Sequence, residues 1–219
     1  DGQYLVQVRE SSYQGDDRCA YRLHIGTFPR PSAVFPMGGK LGSEIDVTFI
    51  GDPAGPFQQK IKLGELKEVF PVFAIKDNQL APSANFLRVT DLHEIYEKAD
   101  AHGTRAASQV IEPELPLAIN GVLKKEAEQD WYRFKAKKGQ AFHVNAYARR
   151  LRGPLDSVIN IYHSKDGKHI TGNDDFQSKP DSYVKFTAPE EGTYDIRIKD
   201  HLGKGGDDFV YRLEISRIE

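Results

Sequence analysis

The dominant pattern along the chain is alternation of apolar and polar positions with a period of two, the mark of strands that hide one face. Toward the carboxyl end Tyr132 and Phe134, then Phe142, Val144 and Ala146, alternate with polar neighbours. Strands are predicted at 117–123, 131–135, 140–148, 157–163, 182–187, 193–199 and 209–216. Turn residues divide them, among them Lys138-Gly139, Asp166-Gly167, Pro189 with Gly192, and the stretch 203–208. Short strands at this spacing, over about 100 residues, describe a β-sandwich or jelly roll. Further toward the amino end Ile45, Val47 and Phe49 alternate, and Gly51-Asp52-Pro53-Ala54-Gly55 ends the run. More strands are predicted at 57–63, 69–75 and 85–89. The fold class is all-β, with tandem sandwiches.

A repeat reorganises this picture. Residues 1–25 and 191–215 align without a gap at an offset of 190. Gly2/Gly192, Tyr4/Tyr194, Gly15/Gly205, Asp17/Asp207, Tyr21/Tyr211, Arg22/Arg212, Leu23/Leu213 and Ile25/Ile215 are identical. Ordinary composition would give about one or two such matches. Each copy reads as a β-hairpin: Tyr4, Val6 and Val8 alternate, a Gly/Asp-rich connection follows, and Cys19, Tyr21, Leu23 and Ile25 alternate again. Cys19 stands where the second copy has Phe209 and reads as a small core residue. In the second copy the hairpin closes a domain. In the first nothing precedes it, so the chain reads as a piece of a longer protein.

Composition narrows the chemistry. The net charge of −2 offers no basic field for nucleic acid. Apolar runs are far shorter than the roughly 20 residues that span a bilayer. One cysteine excludes an internal disulfide and any site built from several thiolates.

The motifs of 114–219 carry a family resemblance. They run Asp130-x-Tyr132-x-Phe134, Lys138-Gly139-Gln140, Pro154-Leu155-Asp156-Ser157, Asn173-Asp174-Asp175, Asp181-Ser182, Ala188-Pro189-x-x-Gly192-x-Tyr194 and Tyr211-Arg212-Leu213. This stretch resembles a bacterial pre-peptidase C-terminal domain, in the version found in planctomycete-type secreted multi-domain proteins. The resemblance implies a sandwich appended to secreted hydrolases or surface proteins, which binds or spaces rather than catalyses. It makes 1–27 the closing hairpin of a preceding copy. The phrase Pro36-x-Gly38-Gly39 leading to Val47-Thr48 is similar to immunoglobulin-like domains of the IPT/TIG type, which assigns 28–97 to an immunoglobulin-like unit. Residues 98–113, small and polar, read as a linker or one short helical turn. Glu112-Pro113 is the only echo of the acidic phrase that relatives carry there.

Candidate chemistry is sparse. Asn173, Asp174 and Asp175 with Asp181 form an acidic loop able to offer oxygens to calcium, which takes six to eight. The competing reading is a solvated turn whose Asn and Asp side chains bond their own backbone. Arg149, Arg150 and Arg152 form a cationic knot for an acidic polysaccharide or protein, or pair with nearby carboxylates. Trp131, out of phase with Tyr132 and Phe134, is expected to point outward, where it either lies half-buried against a neighbouring loop or, with Tyr147, stacks on sugar rings. The seven histidines show no zinc spacing and read mostly as surface groups. No nucleophile elbow or phosphate loop is present. The expectation is a secreted or cell-surface piece without a catalytic centre, with no nucleic-acid partner and no membrane span. It acts as a structural or adhesive spacer, or else targets a secreted hydrolase to polysaccharide or protein.

Overall fold

The computed structural model describes residues 2–98, 102–112 and 114–218. Nearly all regular structure in it is strand, in two sandwiches fused side by side.

The first sandwich holds β1 (Ala33–Phe35), β2 (Gly38–Lys40), β3 (Glu44–Ile50), β4 (Phe57–Lys62), β5 (Lys67–Val72), β6 (Ile75–Lys76), β7 (Gln79–Leu80) and β8 (Asn85–Thr90). Sheets ordered β1-β3-β4 and β2-β8-β5 are accompanied by the small β6-β7 hairpin. In β8 the alternation is complete, with Asn85, Leu87 and Val89 buried and their neighbours half-buried. Val34, Val47, Phe49, Leu63 and Leu87 fill the core between the sheets. The middle of the chain is thus a small β-sandwich, in keeping with the all-β class expected.

The second sandwich holds β9 (His93–Tyr96), β10 (Gln109–Val110), β11 (Leu117–Val122), β12 (Gln129–Ala136), β13 (Ala141–Tyr147), β14 (Ser157–His163), β15 (His169–Asn173), β16 (Tyr183–Thr187), β17 (Gly192–Asp200) and β18 (Val210–Ile218). The sheets run β10-β12-β17-β14-β15 and β16-β13-β18-β11-β9. Phe134, Phe142, Phe186 and Tyr194 interlock between them.

Two expectations need correction. First, β17 and β18 are not a hairpin. They lie in opposite sheets, β17 between β12 and β14, β18 between β13 and β11. Residues 2–30 correspondingly form no strand. Strands that belong to facing sheets cannot satisfy one another, and two strands alone are marginal in water. Tyr4, Leu5, Tyr21 and Ile25 are therefore 92%, 97%, 72% and 77% exposed, and Cys19 is an exposed free thiol rather than a core residue. Second, 98–113 is no free linker. The described part adds β10 in parallel to β12, with a short helical turn at Arg105–Ala107 before it; Pro113 lies outside the described residues. One step earlier β9 crosses the expected boundary at 97 and pairs in parallel with β11.

A third apolar cluster joins the two sandwiches: Ala33 and Met37 from the first, and Val122, Tyr147, Leu151 and Val210 from the second. Above it Arg212, fully buried, donates Nη1 and Nη2 to Glu94 at 2.7 Å each and Nε to Glu214 at 2.8 Å. Arg88 of β8 donates Nε to both Glu214 oxygens, at 2.8 and 2.9 Å. Burial disfavours the Arg212 charge, but Glu94 and Glu214 more than offset this and raise its pKa. The two sandwiches are one body.

Candidate functional site

The most concentrated titratable cluster is one that sequence reading passed over: Glu97, His102 and Asp130, whose ligand atoms lie within 4.8 Å of one another. Its position follows from strand phase. In β12, Asp130, Tyr132, Phe134 and Ala136 share the inward face, so Asp130 is carried into the core with the aromatics. Glu97 follows β9 and is anchored by its own N–H to the Asn120 carbonyl, while its Oε2 accepts the Val122 N–H at 2.9 Å. His102 is fixed through its carbonyl, which accepts the Trp131 N–H.

The imidazole Nε2 sits 3.2 Å from Asp130 Oδ1 and 3.8 Å from Glu97 Oε2. Neither ring nitrogen makes a well-aligned hydrogen bond. Burial opposes charge on the ring, but the two carboxylates prevail and push its pKa up to about 10. His102 is an imidazolium at neutral pH. Burial, partly countered by His102 and Tyr211, raises the Asp130 pKa. Asp130 Oδ2 accepts from Tyr211 Oη at 2.5 Å, and Tyr211 Oη lies 2.5 Å from Tyr132 Oη. Burial, then the Asp130 charge, holds both phenols well above their usual range. Tyr211 lies across β11 only because residue 121 is glycine, where a Cβ would stand 2.3 Å from its ring.

Chemically this is a buried cation between two anions. Asp130, Tyr132 and Tyr211 are 1% exposed or less and His102 6%, so no substrate reaches them as an acid, base or nucleophile would require. One imidazole with two carboxylates is a donor set closer to zinc than to calcium, and the proton on His102 competes for it.

The expected polymer-binding residues are largely committed elsewhere. Trp131 does point away from the core, yet it is only 7% exposed, covered by Tyr162 at 5.2 Å between centroids and Arg197 at 5.6 Å. Tyr147 is buried between the guanidinium groups of Arg88 and Arg150, at 4.3 and 4.0 Å. Arg150 also bonds Asp181 and the Ala146 carbonyl, and Arg152 covers Phe86 of the first sandwich at 4.5 Å. Arg149 and Arg152 both stay exposed, and Arg149 lies 3.7 Å from Asp156, beside a cleft of about 480 Å³ that Asp200, Lys204 and Phe209 also line.

The expected calcium set does not converge. Asp181 is buried, and its carboxylate accepts the N–H groups of Ala148, Arg149 and Arg150 as well as Arg150 Nε. Asn173 bonds the Asp175 carbonyl and the Tyr183 N–H, and Asp174 caps the Asp175 N–H. Asp174, Asp175 and Asp181 do not bring three carboxylate oxygens within 4.8 Å of one another. Asp181, with its carboxylate taken up by these N–H groups, acts as a loop cap. Asp200 does the same for the N–H groups of Asp156, Leu202 and Lys204.

Residues 128–200 match the family model of the bacterial pre-peptidase C-terminal domain. No curated protein matches the chain in sequence. Among solved structures, the pre-peptidase C-terminal domain of collagenase from Bacillus anthracis is 15% identical, with 50% of this chain and 94% of that one covered, at a TM-score of 0.40. The Aeromonas hydrophila periplasmic inhibitor of g-type lysozyme, PliG, is 16% identical over 57% and 96% of the two chains, at 0.38. A Clostridium perfringens ZmpB structure, of CBM51-2 in complex with GlcNAc and INT domains, is 9% identical over 81% and 39%, at 0.32. Among the described residues, no helix is long and apolar enough to cross a membrane.

Proposed function

We propose that this chain, whose second sandwich is a bacterial pre-peptidase C-terminal domain, is a non-catalytic, extracytoplasmic spacer that holds other parts of a larger protein at a fixed separation and angle. The observation that carries this reading is the joint between the sandwiches. An apolar cluster and the Arg88–Glu214 ion pair, backed by Arg212 and Glu94, bridge it. A spacer depends on such a joint, although a cleft of about 580 Å³ also opens in it between Phe35, Thr48 and Ile50 on one side and Glu97, Val122 and Lys124 on the other. Of the titratable cluster only Glu97 is partly exposed, and His102 and Asp130 lie out of a substrate's reach, which supports the absence of catalysis. The other domains, and the partners they hold, are those of the parent protein.

A second reading, targeting of a secreted hydrolase to an acidic polysaccharide or protein, is favoured by one observation. Arg149 stands exposed beside the charged cleft formed with Asp156, Asp200 and Lys204. Two measurements decide. Spin labels at Asp46 and Lys185, one exposed position on each sandwich, should report a single narrow distance, while a broad distribution would overturn the spacer. Saturable binding to pectin, heparin or collagen tighter than about 100 μM, lost in Arg149→Ala, would instead establish the targeting reading.

A further inference from the structure

The joint between the sandwiches is not filled throughout. In β3 the core takes Val47 and Phe49, so Thr48 and Ile50 face outward, and strand pairing sets Phe35 of β1 opposite Thr48. Across from this face stand Val122 at the end of β11, Lys124 just beyond it, Glu97 after β9, and Asp207 and Asp208 in the connection before β18. Between them lies the cleft of about 580 Å³, whose rim Gly51 and Pro56 complete. Gly51, at a φ of +84°, makes the turn after β3 and leaves room for Ser32. The Ser32 Oγ lies 3.3 Å from Asp208 Oδ2 and ties one rim to the other.

The two walls differ in character. Phe35, Ile50 and Pro56 of the first sandwich are apolar, and Tyr96 holds Phe35 edge-on at 6.1 Å between centroids. On the second sandwich Val122 is joined by three carboxylates and the single ammonium of Lys124. Glu97 is engaged from behind, by the Val122 N–H at 2.9 Å and by the His102 ring at 3.8 Å. Asp207 is exposed and Asp208 half-buried, so these two set the field that an entering group meets. Walls of low dielectric concentrate such a field. The volume falls within the range of ligand clefts, about 300–1,000 Å³.

We propose that this cleft binds a short peptide segment in which a lysine or arginine stands next to an apolar residue. Successive side chains of an extended chain point to opposite sides, which is what a cleft with one apolar and one acidic wall asks of its occupant. The apolar side chain lies against Phe35, Ile50 and Pro56, and the basic one meets Asp207 and Asp208. A wholly apolar segment would desolvate those carboxylates and give them no partner. An acidic one would be repelled by both aspartates, with Lys124 alone to offset them.

The probes are acetyl-phenylalanyl-arginine amide and its glutamine counterpart, titrated into the complete chain by calorimetry. The arginine peptide should saturate with a dissociation constant tighter than about 1 mM, and the glutamine peptide should bind about fivefold more weakly or worse. Asp207→Asn combined with Asp208→Asn should weaken the arginine peptide about fivefold, and Lys124→Met should tighten it about twofold. Added salt should weaken it. Amide shifts on binding should cluster at Phe35, Ile50 and Val122. No saturation tighter than about 1 mM, equal binding of the glutamine peptide, or amide shifts centred on Arg149 would each overturn the proposal. The glutamine peptide tests the charge without altering the protein, so a variant that folds poorly does not shield the idea. The distance between spin labels tests the spacer reading with no ligand present, so either can fail alone.

Discussion

Replacing His102 by alanine removes the imidazole between Glu97 and Asp130 and leaves two carboxylates in a site where Asp130 is 1% exposed. Breaking a buried ion pair on one side costs about 3–5 kcal/mol. The pKa gives a second route to the size. The folded-state pKa of His102 is about 10 against a reference of 6.5. That separation of about 3.5 pH units, at about 1.4 kcal/mol each, sets a ceiling of about 5 kcal/mol. Because the folded value is the higher one, the contribution is complete below pH 6.5 and disappears as pH rises toward 10. The raised Asp130 pKa acts in the same direction, since the folded state again holds its proton more tightly. For a chain of this length, His102→Ala should lower the melting midpoint by about 6–20 °C at pH 6. The loss should shrink steadily in scans up to pH 9.5. In a double-mutant cycle with Asp130→Asn, the two losses should be strongly less than additive. A midpoint lowered by under 2 °C, with no pH dependence, would refute the assignment of His102 as the charged partner.

Other outcomes follow from single contacts. Arg212→Met strips Glu94 of its cation, leaves Glu214 with Arg88 alone, and should cost about 3–5 kcal/mol by urea unfolding; Lys60→Met, on an exposed pair with Asp46, should leave the urea midpoint nearly unchanged. Gly121→Ala places a methyl against the Tyr211 ring and should destabilise by about 1–3 kcal/mol, which a shift in denaturant midpoint would report. Calcium in place of a chelator should move the melting midpoint by less than about 1 °C, and a rise of several degrees would restore the acidic loop as a ligand set. Deletion of residues 2–26 should leave the midpoint within about 1 °C, since nearly all of that segment is exposed.

Strand content was legible wherever alternation was long. β12, β13, β14 and β16 to β18 fall within two residues of the pattern-based positions, because each hides one apolar face. β9 and β10 were not, because four and two residues carry no period and their partners are remote in sequence. β15, read as loop, alternates too weakly to declare itself. The pairing of β17 with β18 was misjudged for a different reason. Adjacent alternating runs joined by a Gly/Asp-rich turn look alike whether the chain returns within one sheet or crosses to the other. The cluster at Glu97, His102 and Asp130 has no spacing motif, since topology alone assembles it. One signal was available: Asp130 sits in the same phase as Tyr132 and Phe134, where a lone carboxylate signals a buried partner. For Trp131 the outward phase was legible, but not the depth of its cover, because Tyr162 and Arg197 come from neighbouring strands of that sheet.

The central place of β18 bears on how the molecule responds to tension. A load applied at residue 218 runs along a strand held by β11 on one side and β13 on the other. Two ladders must therefore slide at once, rather than one peel open bond by bond. Any pull reaching β11 also bears on β9 through their parallel ladder, so the load spreads across that whole sheet of the second sandwich.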